Sequence, residues 1–309
     1  MAKQAAQLIK KNRAAFRFQK LKMCKKCQRY TVMKEESCPE CGSRYIRIEI
    51  HARSILKNRV FSEIMFILVF VSAGIIFAPT LAMLYYSLIV GLLFLFCYLV
   101  LMFIFIKSEY YTQLKQLFFS DLIRIKAGIQ YDSDCAKTDV KLGNVAAGYD
   151  KLREISELID NDQLKICSVK ALNRMPLRKD MELELEQLIP SSYDKSFVKY
   201  ALEVLKINRM LITKKVISYF VEFRIEVVRD FGMDSLISVT GSTLRMKLYI
   251  HEFSEFIQEF IDFFPKERIL RLCSLLDAHP EENWGSLEDT TKRLVRVKFQ
   301  YDPDFKPYV

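Results

Sequence analysis

The sequence predicts a mainly α-helical membrane protein with one small β domain near its N-terminus, and three observations predict it. Four cysteines stand in two Cys-x-x-Cys pairs, Cys24 with Cys27 and Cys38 with Cys41. The stretch 60–106 is apolar and carries a single charge, Glu63. From residue 107 onward apolar residues recur at helical spacing almost to the end.

Charge separates these regions further. Residues 1–59 hold 16 Lys and Arg against 4 Asp and Glu, whereas 107–309 hold 31 against 32. The net charge of +10 is therefore concentrated ahead of the apolar stretch. A balanced C-terminal part argues against a nucleic-acid surface covering it. Beyond the two pairs, Cys97, Cys135, Cys167 and Cys273 are scattered singly, which suits a reducing compartment rather than a disulfide framework. No secretory leader and no lipidation motif is expected.

Residues 1–15 read as a basic amphipathic helix. Ala5, Leu8, Ile9, Ala15 and Phe16 share a face, and Lys3, Lys10, Lys11 and Arg13 lie elsewhere. The alternative is a solvated tail.

Residues 16–58 carry the cysteine pairs. Two thiolate pairs supply four sulfurs for a closed tetrahedral ion, with no position left for catalysis. Gly42, just after Cys41, permits the positive φ that ends such a knuckle. Residues 29–34 read as a short strand. Ile46, Ile48 and Ile50 alternate with Arg47, Glu49 and His51, which predicts a half-buried strand over 44–51. Strand, knuckle, strand, knuckle, strand over 16–51 resembles a zinc ribbon. That resemblance implies one structural zinc ion on Cys24, Cys27, Cys38 and Cys41. Iron sites use the same four thiolates, so zinc is favoured on chemistry rather than on spacing. A domain this small needs the metal to fold. Lys20, Lys22, Lys25, Lys26 and Arg29 crowd the first knuckle and, with Lys10 and Lys11, are the expected contacts to an anionic surface.

Residues 60–106 are long enough for two membrane spans, 60–78 and 81–106, broken at Pro79 and Thr80. Basic residues flank both outer ends and are missing from the turn. Both termini are therefore expected in the cytosol, at a bacterial plasma membrane or an organelle membrane. A plain anchor is favoured over a pore, because polar residues are few: Glu63, Ser72, Thr80 and Ser87. Gly74 and Gly91 permit close helix approach.

Residues 107–138 read as a juxtamembrane helix and linker, with 132–138 as a polar loop. The next helices are expected at 140–159, 163–174, 179–188, 193–207, 211–231, 244–264, 266–276 and 287–297, with 293–300 hinting at extended structure and 301–309 as a tail. Glu182, Glu184 and Glu186 read as solvated charge on a helix face, and 238–242 as a polar connector. Val169-Lys170-Ala171-Leu172 echoes Val198-Lys199-Tyr200-Ala201-Leu202 at about a 30-residue spacing. This resembles HEAT-type helical repeats over 140–276, and the unit 139–300 is HEAT-like on that basis; an irregular helical bundle is the alternative. An aromatic stripe, Phe253, Phe256, Phe260, Phe263 and Phe264, with a shorter one at Tyr219, Phe220 and Phe223, reads as core or, less simply, as a groove for a partner helix.

No glycine-rich phosphate loop, nucleophile–base set or open metal site is legible, so neither an enzyme nor a small-molecule substrate is expected. The expected role is a membrane-anchored, cytosol-facing scaffold that contacts the bilayer, anionic lipid and, through 139–300, a protein partner. Two rivals are a nucleic-acid-binding ribbon at the membrane and an oligomeric channel or membrane-disrupting effector formed by the hairpin.

Overall fold

The computed structural model describes residues 16 and 18–308. The helix expected over 1–15, with Lys10 and Lys11, lies outside the described residues. The chain divides into two compact units. Of the described residues, those up to Cys135 together with Glu157–Ile159 form one, and Ala136–Ser156 with those from Asp160 onward form the other.

The first unit begins with three short antiparallel strands, β1 (Lys22–Cys24), β2 (Tyr30–Thr31) and β3 (Tyr45–Arg47), in the order β2-β1-β3. Met23 pairs with Tyr30 on one side and Ile46 on the other. The strand expected over 44–51 stops at Arg47, and helix α1 (Ile48–Ile76) starts at once. Ile46, Ile48 and Ile50 do alternate, but Ile48, Ala52 and Leu56 also recur every fourth residue. It is that helical face which is buried, while Ile50 is exposed.

Residues 77–80 turn the chain into α2 (Leu81–Ser120), whose N-cap Thr80 accepts a bond from the Met83 N–H. Both helices are long and apolar enough to cross a membrane. At 1.5 Å per residue they measure about 43 and 60 Å, longer than the roughly 30 Å of a hydrocarbon core. They pack closely where glycine allows. A Cβ on Gly74 would meet Ser87, and one on Gly91 would meet Val71. Within 60–106 most of their apolar side chains point outward; Phe70 is 77% and Phe103 83% exposed. This is not the burial of a core hairpin within the chain.

After a break at Asp121, α3 (Leu122–Leu142) continues through 132–138, where a loop was expected. Ile125, Ile129 and Asp132 share its buried face, so the polar residue there is a buried helical side chain and not a sign of a loop.

The second unit packs α4 (Val145–Ser156), α5 (Asp162–Leu172), α6 (Lys195–Ile207), α7 (Lys214–Glu222), α8 (Arg224–Phe231), α9 (Met233–Thr243), α10 (Lys247–Glu252), α11 (Ser254–Phe260), α12 (Lys266–Asp277) and α13 (Ser286–Lys298) around one apolar core. Neighbours in sequence pack on one another: α4 on α5, α5 on α6, α8 on α9, α12 on α13. The two long helices expected at 211–231 and 244–264 are each divided in two, α7 from α8 at Phe223 and α10 from α11 at Phe253. Gly232, at φ +80, separates α8 from α9. Residues 293–300 hint at no strand, since α13 runs through to Lys298.

Two segments differ from the sequence expectation, each for its own reason. The segment 179–188 is not a helix; only Glu186–Leu188 forms a 3-10 turn. Met181, Leu183 and Leu185 are buried in alternation, as in an extended chain. Conversely 238–242 is no connector but part of α9, and Thr240, Ser242 and Thr243 are buried. Their hydroxyls donate to the carbonyls of Leu236, Val239 and Thr240, at 2.8, 2.6 and 2.6 Å, which lets polar side chains sit in a core.

Of the aromatic stripe, Phe253, Phe256, Phe260 and Phe264 are core, and only Phe263 is exposed, at 53%. Tyr219 and Phe220 are buried as well. The last turn, Pro303–Tyr308, is not a loose tail: Phe305 is buried and stacks on Phe299 at 4.5 Å.

Candidate metal centre

Each cysteine pair sits on a backbone knuckle, and the two knuckles repeat the same bonds. Cys24 N–H donates to the Arg29 carbonyl at 2.9 Å, and Gln28 N–H returns to the Cys24 carbonyl at 3.0 Å. Cys38 N–H donates to the Ser43 carbonyl at 2.9 Å, and Gly42 N–H returns to the Cys38 carbonyl at 2.8 Å. The residue after each second cysteine carries a positive φ, +69° at Gly42 and +57° at Gln28. Glycine does this freely; Gln28 does it because the surrounding bonds hold it there.

The knuckles bring the four sulfurs within 4.8 Å of one another. Cys24 and Cys41 are 3.3 Å apart, Cys27 and Cys38 3.5 Å, and Cys27 and Cys41 3.8 Å. A disulfide needs about 2.05 Å. A tetrahedral ion with bonds of about 2.3 Å sets its sulfurs about 3.8 Å apart, and the cluster matches that. All eight cysteines are unpaired.

The surroundings favour thiolate at Cys41 and Cys38, whereas burial, with the neighbouring thiols Cys24, Cys38 and Cys41, pushes the Cys27 thiol up to about 12. Cys41 is drawn down to about 6 by the Ser43 backbone N–H and the Cys24 thiol. At Cys38 burial pushes the thiol up, but hydrogen bonds from the Tyr45 hydroxyl and the backbone at Glu40 and Cys41 outweigh it, leaving it below the usual cysteine value. These residues fit a divalent ion held by four sulfurs. Such an ion would hold the knuckles together and would offer no open position.

The rest of the basic cluster divides. Lys25 and Lys26 are exposed. Lys20 pairs with Glu157 at 2.8 Å, and Lys22 donates to the carbonyls of Lys34 and Glu35. Arg29 is not a surface contact. Its side chain is 9% exposed, 2.8 Å from Glu40 and 3.7 Å from the centre of the Tyr131 ring.

Arg29 belongs to an attachment that spacing alone does not reveal: the strands dock on α3. Asp132 accepts from the Thr31 hydroxyl at 2.8 Å and from the Val32 N–H at 3.1 Å. The Tyr30 hydroxyl donates to Asp121 at 2.6 Å, and Arg124 to Gln28. Gly128 lies directly under the Tyr30 carbonyl, where a Cβ would come within 2.2 Å of the oxygen. Burial raises the Asp132 carboxyl above the ordinary aspartate range, against the bonds from Thr31 and Val32 that favour its charge.

A second polar cluster ties α1 to α2. Glu63, the one charge in the apolar stretch, accepts from Arg59 at 2.9 Å and from the Tyr98 hydroxyl at 2.7 Å. Arg59 also reaches Glu109 at 3.2 Å.

No protein-family model, no curated protein and no solved structure matches the chain.

Proposed function

We propose that the protein is a membrane-anchored, cytosol-facing scaffold. Its hairpin is an anchor, its four-thiolate centre is structural, and its helical unit binds a protein partner. The observation that carries this reading is the direct passage of a metal-knuckle sheet, docked on α3, into two outward-facing apolar helices.

Two details support an anchor over a pore. Glu63 is satisfied by Arg59 and Tyr98, so the hairpin presents no unpaired carboxylate to an ion path. The glycine contacts of Gly74 and Gly91 join α1 to α2 rather than facing outward. The single apolar core shared by α4 to α13 supports a folded helical unit that can present a surface to a partner. Zinc is the expected ion, because four thiolates in a closed shell suit it.

The topology is tested by labelling a chain that lacks Cys97, Cys135, Cys167 and Cys273 and carries Thr80→Cys or Tyr110→Cys. The turn should react from outside and position 110 only after permeabilisation. The reverse pattern inverts the protein, and equal labelling of both from one side removes the spans. The scaffold role is tested by photo-crosslinking the full-length chain in its membrane from sites in 139–300. A specific protein adduct is expected. If no protein adduct forms and the purified chain makes liposomes leak, the pore reading takes its place. Nucleic-acid binding with a steep salt slope would instead favour the basic ribbon as the working part.

A further inference from the structure

Where α1 and α2 leave the apolar stretch they enclose a cleft of about 600 Å³. The volume lies in the range of small-molecule sites. Its walls are divided by chemistry along the helix axis. At one end stand Arg53, Lys57 and Lys107; at the other are apolar side chains, among them Val60, Phe61 and Ile64. From Lys57 to Ile64 the rise is about 10 Å, which spans the distance from a headgroup phosphate into the upper acyl region.

Of the three cations, Arg53 is engaged by the Tyr110 hydroxyl, on which Glu49 also acts. Arg59, between them in sequence, is bound by Glu63 and Glu109. No such ion pair involves Arg53, Lys57 or Lys107 among the described residues. Arg53 instead lies 5.7 Å from the Tyr110 ring, which lines the same cleft and keeps the guanidinium beside it. A cleft with three basic side chains outside any salt bridge among the described residues at one end and apolar side chains at the other suits one kind of molecule, an anion with a hydrocarbon tail.

We infer that the cleft between α1 and α2 binds one anionic phospholipid, its phosphate at Arg53, Lys57 and Lys107 and an acyl chain along Phe61 and Ile64. The inference rests on the reading that α1 and α2 cross a bilayer. It differs from general attraction of a basic domain to a charged surface, because the lipid is held at a defined place and stoichiometry.

The test uses the full chain released from detergent in native mass spectrometry, with dioleoylphosphatidylglycerol or dioleoylphosphatidylcholine supplied. One phosphatidylglycerol per chain should be retained, at least ten-fold in preference to phosphatidylcholine. The R53Q/K57Q/K107Q variant should lose retention at least ten-fold, and K170Q/K199Q, at exposed lysines of the helical unit, should keep it. Should the triple variant fold poorly, F61A/I64A keeps every charge and should also weaken retention. Excess inorganic phosphate should not displace the lipid, since it lacks the tail. Equal retention of both lipids, unchanged retention in R53Q/K57Q/K107Q and F61A/I64A, or displacement by phosphate would each overturn the inference. Alkaline carbonate extraction separates the two levels. A chain that stays in the membrane but holds no lipid refutes the site alone, while a chain that is extracted refutes the spans and the site together.

Discussion

The sheet of the first unit and the core of the second are stabilised by opposite means. The sheet has three strands of three, two and three residues, and few side chains to bury. Its order depends on four sulfurs meeting at one point and on a handful of bonds to α3. The second unit has a continuous core from Val145 to Phe305 in which no single contact dominates. The difference teaches where each is fragile. A point-anchored domain fails all at once when the point is lost, whereas a distributed core loses stability in proportion to what is removed.

The sharpest way to break that comparison is Cys38→Ser. It should abolish stoichiometric metal and release hydrogen-exchange protection across β1, β2 and β3, with apparent binding energies of about 10–16 kcal/mol typical of such sites. Protection in α5, α6 and α9 should be unchanged. If those helices lose protection equally, the two units are not independent in stability.

Within the second unit, Phe197→Ala should cost about 3–5 kcal/mol by opening a cavity in a fully buried site, read from the denaturant midpoint, with metal content intact. Arg153→Ala should cost about 2–3 kcal/mol. It strips the charged partner, 3.1 Å away, from Glu184, whose carbonyl also receives the Tyr200 hydroxyl. This pair fixes the extended segment at 181–185 to the helices, so the variant should loosen that segment first.

The dock of sheet on α3 sits between these extremes. Gly128→Val places a branched side chain where even a Cβ meets the Tyr30 carbonyl. It should release the sheet from α3, seen as faster exchange at Thr31 and Val32, while the metal stays bound because the knuckles are self-contained. Loss of metal in this variant would show that the centre needs the helix.

The smallest effect is a pH term. Asp162 accepts from the hydroxyl and N–H of Ser191, and these bonds hold its carboxyl below the ordinary aspartate value. A group whose folded value is lowered stabilises above the unfolded value of about 3.9 and loses that contribution as pH falls through the lower folded value. Asp162→Ala should therefore cost below about 1 kcal/mol at neutral pH, given its exposure, and should flatten the acid limb of the unfolding curve.

What the sequence discloses follows the same division. The cysteine cluster is legible because its logic is local: two pairs, each with two residues between its cysteines, can close on one point. The hairpin is legible because an uncharged run of that length has few other uses. The failures occur where two periods overlap or where a polar residue is buried. Ile46, Ile48 and Ile50 fit a strand while Ile48, Ala52 and Leu56 fit a helix, and the burial that decides between them lies in the tertiary structure. Asp132 and Thr240 look like loop residues because their partners, Thr31 and the Leu236 carbonyl, cannot be read from composition. The positive φ at Gln28 gives no signal, whereas Gly42 announces its own.

The central claim, a closed four-sulfur metal centre at the head of the membrane hairpin, is tested most directly by X-ray absorption on the full-length protein purified without added chelator. One zinc per chain with four sulfur neighbours at about 2.3 Å is the expected result. No bound metal, or a shell containing nitrogen or oxygen donors, would contradict it.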